Sequence, residues 1–232
     1  MHAFRGLTLR SLTVTGSLAL VAGSGLTGCA SMNSKSRGAV IGAASGAAVG
    51  GAVGRSNGST AKGAIIGAAV GGAAGAIIGH QMDQQAKEIK QNIPGAVVER
   101  VGEGIQVTFA SGLLFDFNSD AVRGEARTNL QQLARSLDKY PNTELLIVGH
   151  TDAKGSDTYN QTLSERRAAA AASFLANQGV TSARVHTQGL GESEPVSSND
   201  TELGQQKNRR VEVAIYANQA YRNKVQRDSN GI

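Results

Sequence analysis

Residues 145–152 read Leu-Leu-Ile-Val-Gly-His-Thr-Asp, and this stretch decides the fold of the chain. Its first four residues are apolar without interruption, which predicts a short strand that is covered on both faces. Small and polar residues follow at once, so the strand ends in a loop that carries Asp152. Apolar residues then recur at helical spacing and predict a helix over residues 159–178. Gly179 ends this helix, because glycine readily adopts the backbone conformation that often follows a helix.

Further elements on both sides complete a pattern of strands and helices. Upstream, two short strands are predicted around the turn Gly102-Glu103-Gly104, and apolar positions 130, 133, 134 and 137 predict a helix. Downstream, residues 185–190 and 211–216 are predicted strands. This order predicts an α/β fold, an α+β sandwich with helices packed on one face of a mixed β-sheet.

The helix predicted around positions 130–137 has residues at both ends that are typical of helix termini. Ser119 or Asp120 can cap its start, because their side-chain oxygens accept from the free N–H groups of the first turn. Tyr140-Pro141-Asn142 stops it, since proline does not continue a helix. Residues 113–117 are expected to form a further strand or the exit from the preceding one.

Several separate motifs follow one another in the second half of the chain. In chain order they are Gly149-His150-Thr151-Asp152 with Gly155 and Asn160, then Leu163-Ser164-Glu165-Arg166-Arg167-Ala168, then Gln188-Gly189-Leu190-Gly191, and finally Asn208-Arg209-Arg210-Val211-Glu212. Together they resemble the C-terminal, peptidoglycan-associated domain of the OmpA family. The resemblance covers about residues 100–217. It implies a module that binds peptidoglycan without catalysis and without a cofactor or metal ion.

The resemblance implies a binding site for the diaminopimelate in the stem peptide of the wall. The free end of this residue is a zwitterion, so its receptor needs one fixed anion and one fixed cation. Asp152 and Arg167 match the two key positions of the family: Asp152 would accept from the ammonium, and Arg167 would hold the carboxylate with two parallel N–H bonds. Arg166, about 100° further around the helix, is expected to point elsewhere. The alternative is a structural ion pair between Asp152 and Arg167 that closes the loop on the helix.

Other residues of the same motifs are expected to complete the site. Thr151, Gly155 and Asn160 would shape the loop and offer backbone or amide contacts. Phe117 and Asn118 match the rim that the family has at the exit of the first strand.

Three further polar residues were considered for the site, and two of them have an alternative interpretation. Asn208 and Arg210 could reach the ligand, but Arg210 could equally stabilise the edge of the sheet. His150 could be a base, but we expect a packed strand-end residue, because no nucleophile or pair of acids accompanies it. No catalytic residues are therefore expected. Gly189 and Gly191 lack the third glycine and the helix of a dinucleotide-binding loop.

Glycine recurs at every fourth residue in two arms, residues 38–54 and 63–79, which a polar loop separates. This spacing places the glycines on one face of a helix, where two backbones can approach closely. We expect a helical hairpin, which resembles the glycine-zipper region of several bacterial envelope lipoproteins. Three arrangements remain open: the arms pack on each other, associate between protomers as a homo-oligomer, or dip into the membrane. Residues 80–92 are expected to continue as an exposed helix that ends near Pro94.

The N-terminus has the features of a secretory signal. Arg5 and Arg10 precede a short apolar run, and small residues lead to Cys29. The sequence Leu26-Thr27-Gly28-Cys29 resembles the lipobox of bacterial lipoproteins. This resemblance implies cleavage before Cys29, acylation of that residue, and attachment to outer-membrane lipid, since no aspartate follows the cysteine. The alternative is an ordinary cleaved signal with an incidental cysteine.

Composition limits the classes of function. The net charge of +5 is not concentrated in any block, which argues against a nucleic-acid partner. Cys29 is the only cysteine, so neither an intramolecular disulfide nor a structural zinc site is expected.

These observations predict four segments: a signal peptide over residues 1–28, a glycine hairpin with a polar linker over 29–93, an OmpA-like peptidoglycan-binding domain over 94–220, and a polar tail over 221–232. The expected function is a non-catalytic link between the outer membrane and the cell wall, with the C-terminal domain in the periplasm. The competing function is a membrane-active or assembly protein that acts through the glycine hairpin, with the wall domain as a tether.

Overall fold

A five-stranded mixed sheet forms the centre of the protein. A computed structural model describes residues 59–116 and 118–231. The strands are β1 (Val97–Val101), β2 (Gly104–Ala110), β3 (Thr143–Gly149), β4 (Val185–Gly189) and β5 (Arg210–Ala217). Their order in the sheet is β1-β2-β5-β3-β4, with β3 and β4 parallel and all other neighbours antiparallel. The lipobox, the first glycine arm and Phe117 lie outside the described residues.

Helices of very different length connect and flank these strands. They are α1 (Thr60–Gly67), α2 (Gly72–Asn92), α3 (Ser111–Leu114), α4 (Gly124–Lys139), α5 (Asp157–Asn177), α6 (Glu202–Asn208) and α7 (Gln219–Asn230). The predicted α/β fold with helices on a mixed sheet is confirmed.

The main core lies between one face of the sheet and helices α2, α4 and α5. Ile147 of β3, Val213 of β5 and Leu133 of α4 belong to it, and each is almost fully buried. Val148, the next residue of β3, points to the opposite face and belongs to a second apolar cluster. The uninterrupted apolar run of β3 is thus used on both faces, as the sequence predicts.

Helix α1 covers the second face of the sheet, which we expected to carry no helix. Its residues Ala64 and Ile65 pack with Val148, Ala214 and Tyr216 of the central strands. The close approach depends on a glycine in β2, since a Cβ atom on Gly104 would lie 2.5 Å from Cγ2 of Ile65. Part of the second glycine arm is therefore a structural element of the OmpA-like domain.

The start of α1 is fixed by two buried carboxylates. Ser59, its N-cap, donates from Oγ to Glu212 Oε2 at 3.2 Å. The next residue, Thr60, donates from N and Oγ1 to the carboxylate of Glu194 at 3.0 and 2.6 Å. Because negative charge is favourable at a helix N-terminus, these contacts stabilise the docked helix.

The second glycine arm does not form the single helix that we expected. It is divided between α1 and α2, with Gly71 and Gly72 at φ values of 69° and 62°. Only glycine adopts this left-handed conformation readily, so these two residues allow the chain to turn. The turn is held by Glu103, whose carboxylate accepts from the backbone N–H groups of Val70 and Gly71 at 2.9 and 2.6 Å.

The glycine face of α2 packs on the β1–β2 hairpin. A Cβ atom on Gly75 would overlap the carboxylate of Glu103. One turn later, Arg100 Nη2 donates to the carbonyl oxygen of Gly79 at 3.2 Å. At these two positions the spacing of four therefore serves contact with the β1–β2 hairpin, an arrangement that was not among the three we considered.

Two polar segments are more buried than their sequences suggest. Helix α2 ends at Asn92, just before Pro94 as expected, but Met82, Ala86 and Ile89 belong to the main core. The polar tail is also not a tail, since most of it forms α7. This helix packs on α2, and Arg222 donates from a buried guanidinium to the carbonyl oxygen of Ala68 at 2.9 Å.

Smaller differences concern the segment before α4. Residues 111–114 form the short helix α3 at the exit from β2, which was one of the two expectations for this segment, and they do not form a further strand. Phe115 makes an isolated bridge with Val122. Helix α4 begins after Arg123, so Ser119 and Asp120 do not cap it. Within the described residues, no helix is both long and apolar enough to cross a membrane.

The docking of α1 predicts opposite behaviour for two neighbouring isoleucines. Ile65 is fully buried against the sheet, whereas Ile66 is 48% exposed. We expect Ile65→Ala to weaken the docking by about 3 kcal/mol, the typical cost of deleting a buried branched side chain. Amide hydrogen exchange would show faster exchange across residues 60–67 in this variant and little change in α5. Ile66→Ala is the matched control, and equal effects of both substitutions would contradict the docked position.

Candidate functional site

A cavity of about 450 Å³ lies at the end of the sheet where β2 and β3 finish and β5 begins. The loop after β3 and the first three turns of α5 form one wall, and the segment after β2 forms the other. The lining residues are Ser111, Gly112, Phe115, Asp116, Asn118, Arg123, Thr151, Asp152, Lys154, Tyr159, Asn160, Leu163, Arg167, Glu202 and Arg209. The structure thus brings together five of the residues that the sequence assigned to the site, namely Asn118, Thr151, Asp152, Asn160 and Arg167.

The anion of the site is Asp152, which is buried and fixed on both carboxylate oxygens. Oδ1 accepts from the backbone N–H of Lys154 at 3.1 Å. Oδ2 accepts from Nη1 of Arg209 at 2.5 Å. The loop turns back at Gly155, whose φ of 106° suits glycine, and Ser156 then caps α5. The carboxylate is therefore held in place by groups of the protein itself.

The cation of the site is Arg167, which α5 carries on its buried face. Its Nε donates to the carbonyl oxygen of Ser119 at 3.0 Å, and its guanidinium carbon lies 5.5 Å from the centre of the Phe115 ring. Burial lowers the pKa of Arg167 from its ordinary value, so the group is poorly solvated where it stands. Among the described residues, its two terminal nitrogens have no hydrogen-bond partner.

The alternative of an Asp152–Arg167 ion pair does not match this geometry. The partner of Asp152 is Arg209, and no salt bridge joins Asp152 to Arg167 within the described residues. Arg166 points elsewhere, as its position on the helix predicts, and lies 3.3 Å from Asp120 at the surface.

Two buried hydroxyl groups in the cavity wall lack partners. Ser111 Oγ and Thr151 Oγ1 are each inaccessible to solvent and make no hydrogen bond with described residues. Buried polar groups are nearly always hydrogen-bonded in proteins. Unpaired hydroxyl groups such as these therefore mark a place where a ligand or an ordered water molecule supplies the missing hydrogen bond.

Asn160 and Asn118 hold the two walls of the cavity in position. Asn160 is buried and donates to the carboxylate of Glu192 at 2.6 Å. Asn118 has a positive φ of 56° and accepts a hydrogen bond from the hydroxyl of Tyr159. This last contact joins the segment after β2 to the start of α5.

Three residues considered from the sequence lie outside the cavity. Asn208 is fully buried and bonds the backbone of residues 196 and 197. Arg210 is buried on the other face of the sheet, where it pairs with Glu212 at 2.7 Å. His150 is also buried there, and among the described residues neither of its ring nitrogens has a hydrogen-bond partner. Burial lowers its pKa well below the ordinary value.

Arg209 is the residue that sequence reasoning missed. Side chains alternate between the two faces along a strand, so Arg209 shares a face with Val211 and Val213 of β5, whereas Arg210 does not. Those valines belong to the main core beside α5, which carries Arg167. The period of two was the signal that could have selected Arg209 over Arg210.

Four ion pairs account for most of the charge in the cavity. Arg209 bridges Asp152 and Glu202, and Lys154 also binds Glu202 at 2.9 Å. Burial disfavours the charge of Arg209, but its hydrogen bonds with Glu202 and Asp152 outweigh this and raise its pKa. Asp116 and Arg123 form the fourth, more exposed pair, with Oδ1 and Nε 3.6 Å apart. The cavity is thus lined by four cations and three carboxylates, and Arg167 carries the excess charge.

Family comparisons agree with this architecture. Residues 114–209 match the OmpA family, and residues 10–83 match the YMGG-like Gly-zipper. The chain is 33% identical over 134 residues to the peptidoglycan-associated lipoprotein of Agrobacterium fabrum, which covers 58% of this chain and 76% of that protein. The chain belongs to the OmpA family.

Within this family the chain is similar to the probable lipoprotein YiaD of Escherichia coli. The two sequences are 36% identical over 138 residues, which is 59% of this chain and 63% of YiaD. A lipobox, two glycine arms and an OmpA-like domain together predict a lipoprotein of this type. Among solved structures, the cell wall anchor of the T6SS from Pseudomonas aeruginosa superposes with a TM-score of 0.51 at 31% identity, covering 59% of this chain and 96% of that one.

Proposed function

We propose that this protein links the outer membrane to the cell wall by binding peptidoglycan without catalysis. Its cavity would hold the zwitterionic end of the diaminopimelate in the stem peptide. Support comes from its relatives, which include a peptidoglycan-associated lipoprotein, and from its structural similarity to a cell wall anchor.

One observation carries the proposal: the same cavity is lined by a carboxylate that the protein holds in place and by a guanidinium whose terminal nitrogens have no hydrogen-bond partner among the described residues. Asp152 would accept from the ligand's ammonium, and the free terminal nitrogens of Arg167 would donate in parallel to its carboxylate. Charged hydrogen bonds of this kind contribute about 1.5–3 kcal/mol each. The buried hydroxyl of Thr151 would supply a further hydrogen bond to the ligand. Asn160 and Asn118 would keep the two walls of the cavity in position. Neither Asn208 nor Arg210 is part of this proposal.

Co-sedimentation with purified sacculi tests the proposed function. The full chain should pellet with sacculi, and excess free meso-diaminopimelate should release it because the free amino acid carries the same zwitterion. Nα-acetyl-lysinamide is the matched competitor, since it keeps the side-chain ammonium but has no carboxylate, and it should release much less. A protein that stays in the supernatant, or that both competitors release equally, would not have this function.

The membrane end of the link is proposed to be an acylated Cys29. We expect Cys29→Ser to abolish lipidation, so that the protein no longer fractionates with the outer membrane, because stable anchoring requires more than one acyl chain. Flotation of membranes on a density gradient measures this directly. A Cys29→Ser variant that still floats with membranes would show that another segment anchors the protein.

The competing function, in which the glycine hairpin is the active part, receives less support. In the described part of the second arm, Ile65, Gly75 and Gly79 are engaged with the sheet and the β1–β2 hairpin. This packing favours a structural role for that arm in the wall domain.

A further inference from the structure

Arg209 holds the oxygen atom of Asp152 that the proposed ligand needs. Its Nη1 donates to Asp152 Oδ2, and its Nη2 donates to Glu202 at 2.9 Å. Arg209 is only partly buried, with 28% of its side chain exposed, so it has room to move. A ligand ammonium that approaches Asp152 must therefore share or take over the place of this guanidinium.

We propose that Arg209 is a second anion-binding residue of the cavity, which the ligand's ammonium displaces from Asp152 and which then binds a second carboxylate of the ligand. This inference rests on the proposed function, and it narrows the ligand class. The preferred ligand is an amino acid with one free ammonium and two free carboxylates, with a net charge of −1.

The charges of the lining residues support this exchange. Once the ammonium occupies Asp152, Arg209 retains only Glu202, which Lys154 already binds at 2.9 Å. Two cations then share one carboxylate, while Arg167 is neutralised by the first carboxylate of the ligand. A zwitterion leaves the single excess positive charge of the cavity in place, whereas a second carboxylate cancels it. Like charges crowded in a partly buried site are unfavourable, so the second carboxylate should add affinity.

The wall offers two sources of this second carboxylate. One is the α-carboxylate of diaminopimelate, which is free only where the stem peptide ends at that residue. The other is the α-carboxylate of the γ-linked glutamate that precedes it. Both present the same chemistry to Arg209, and amidation of one or the other distinguishes them.

Isothermal titration with two small probes tests the exchange. The first is meso-diaminopimelate acetylated on one amine, which has one ammonium and two carboxylates. The second is the same compound with a carboxamide at the acetylated centre, which is a simple zwitterion. The full chain should bind the acid at least about tenfold more tightly than the amide, a difference of about 1.4 kcal/mol. Equal affinities would overturn the proposal.

The variant Arg209→Gln should abolish this preference. It should bind acid and amide equally, and it should bind the amide at least as tightly as the parent does, because no guanidinium has to leave Asp152. General damage to the fold would weaken the amide as well, so this readout separates the two causes. Arg166→Gln is the matched control, since Arg166 is an exposed cation on the same helix as Arg167 and should leave the preference intact. A preference that survives in Arg209→Gln would overturn the proposal.

Tripeptide probes identify the source of the carboxylate. The stem tripeptide, alanine, γ-linked glutamate and diaminopimelate, is titrated with either the diaminopimelate or the glutamate α-carboxylate amidated. The amidation that removes the tenfold gain in affinity identifies the carboxylate that Arg209 binds. If neither amidation lowers the affinity, the inference is overturned. If the acid probe and the amide probe both fail to bind, the proposed function falls as well. If both bind equally, the proposed function stands and only the exchange is wrong.

Discussion

Replacing Arg167 with lysine is expected to weaken binding to sacculi by about tenfold or more, equivalent to about 1.4 kcal/mol. Lysine keeps the positive charge, so general attraction to the wall survives. An ammonium cannot make two parallel bonds to one carboxylate, and it cannot also replace the Nε bond to Ser119. The loss would therefore report on the geometry of the guanidinium.

Co-sedimentation over a range of protein concentrations measures this effect, with circular dichroism to verify folding. Arg166→Lys is the control, because Arg166 lies one position along the same helix and pairs with Asp120 at the surface. A folded Arg167→Lys variant that binds as well as the parent would assign Arg167 a structural role instead. Asp152→Asn should be at least as damaging, since an amide presents donors to an ammonium that has only donors itself.

Replacing Gly149 with alanine is expected to cost about 3 kcal/mol of stability, at the upper end for overpacking. Its Cβ atom would overlap the carbonyl oxygen of Ser164 and lie 3.0 Å from that carbonyl carbon. Both are backbone atoms of α5, so a side-chain rotation cannot relieve the clash. Helix α5 would have to move away from β3, and Arg167 and Asn160 would move with it. Sacculus binding should therefore weaken together with stability.

Urea unfolding of the two variants Gly149→Ala and Gly124→Ala makes the comparison. Gly124 begins α4 and has no atom within 4 Å of the position of its Cβ. Alanine there should leave stability unchanged or raise it by up to about 1 kcal/mol, because alanine is the better helix former. A Gly149→Ala variant as stable as the parent would mean that α5 is not packed on β3 as described.

The elements that sequence alone could predict are those with a strong local signal. Each of these elements is recognisable from a few neighbouring residues: the apolar run of β3, the helical spacing in α4, and Gly179 at the end of α5. Helix α7 has no such signal, since it is mostly polar and its stability comes from packing on α2 and from the buried Arg222. Local patterns contain no information on such distant partners.

The division of the second glycine arm illustrates the same limit. Its period of four runs unbroken from Gly63 to Gly79 and obscures the pair Gly71-Gly72, a local turn signal within it. The turn depends on Glu103, which lies on another element and accepts from its N–H groups. In the site, Asp152 and Arg167 were identified through the family resemblance, and alternation along β5 could have added Arg209. The pairing of Arg209 with Asp152 could not be foreseen, because it depends on the side-chain orientation of one residue in the loop after β3 and of another just before β5.

The central claim is that the cavity recognises the zwitterionic end of diaminopimelate. The most direct measurement compares the binding of the full chain to two kinds of purified wall, one with diaminopimelate in the stem peptide and one with lysine at the same position. Lysine retains the side-chain ammonium for Asp152 but lacks the carboxylate for Arg167. The proposed recognition predicts co-sedimentation with the diaminopimelate wall and at least about tenfold weaker binding to the lysine wall. Equal binding to both walls would contradict it.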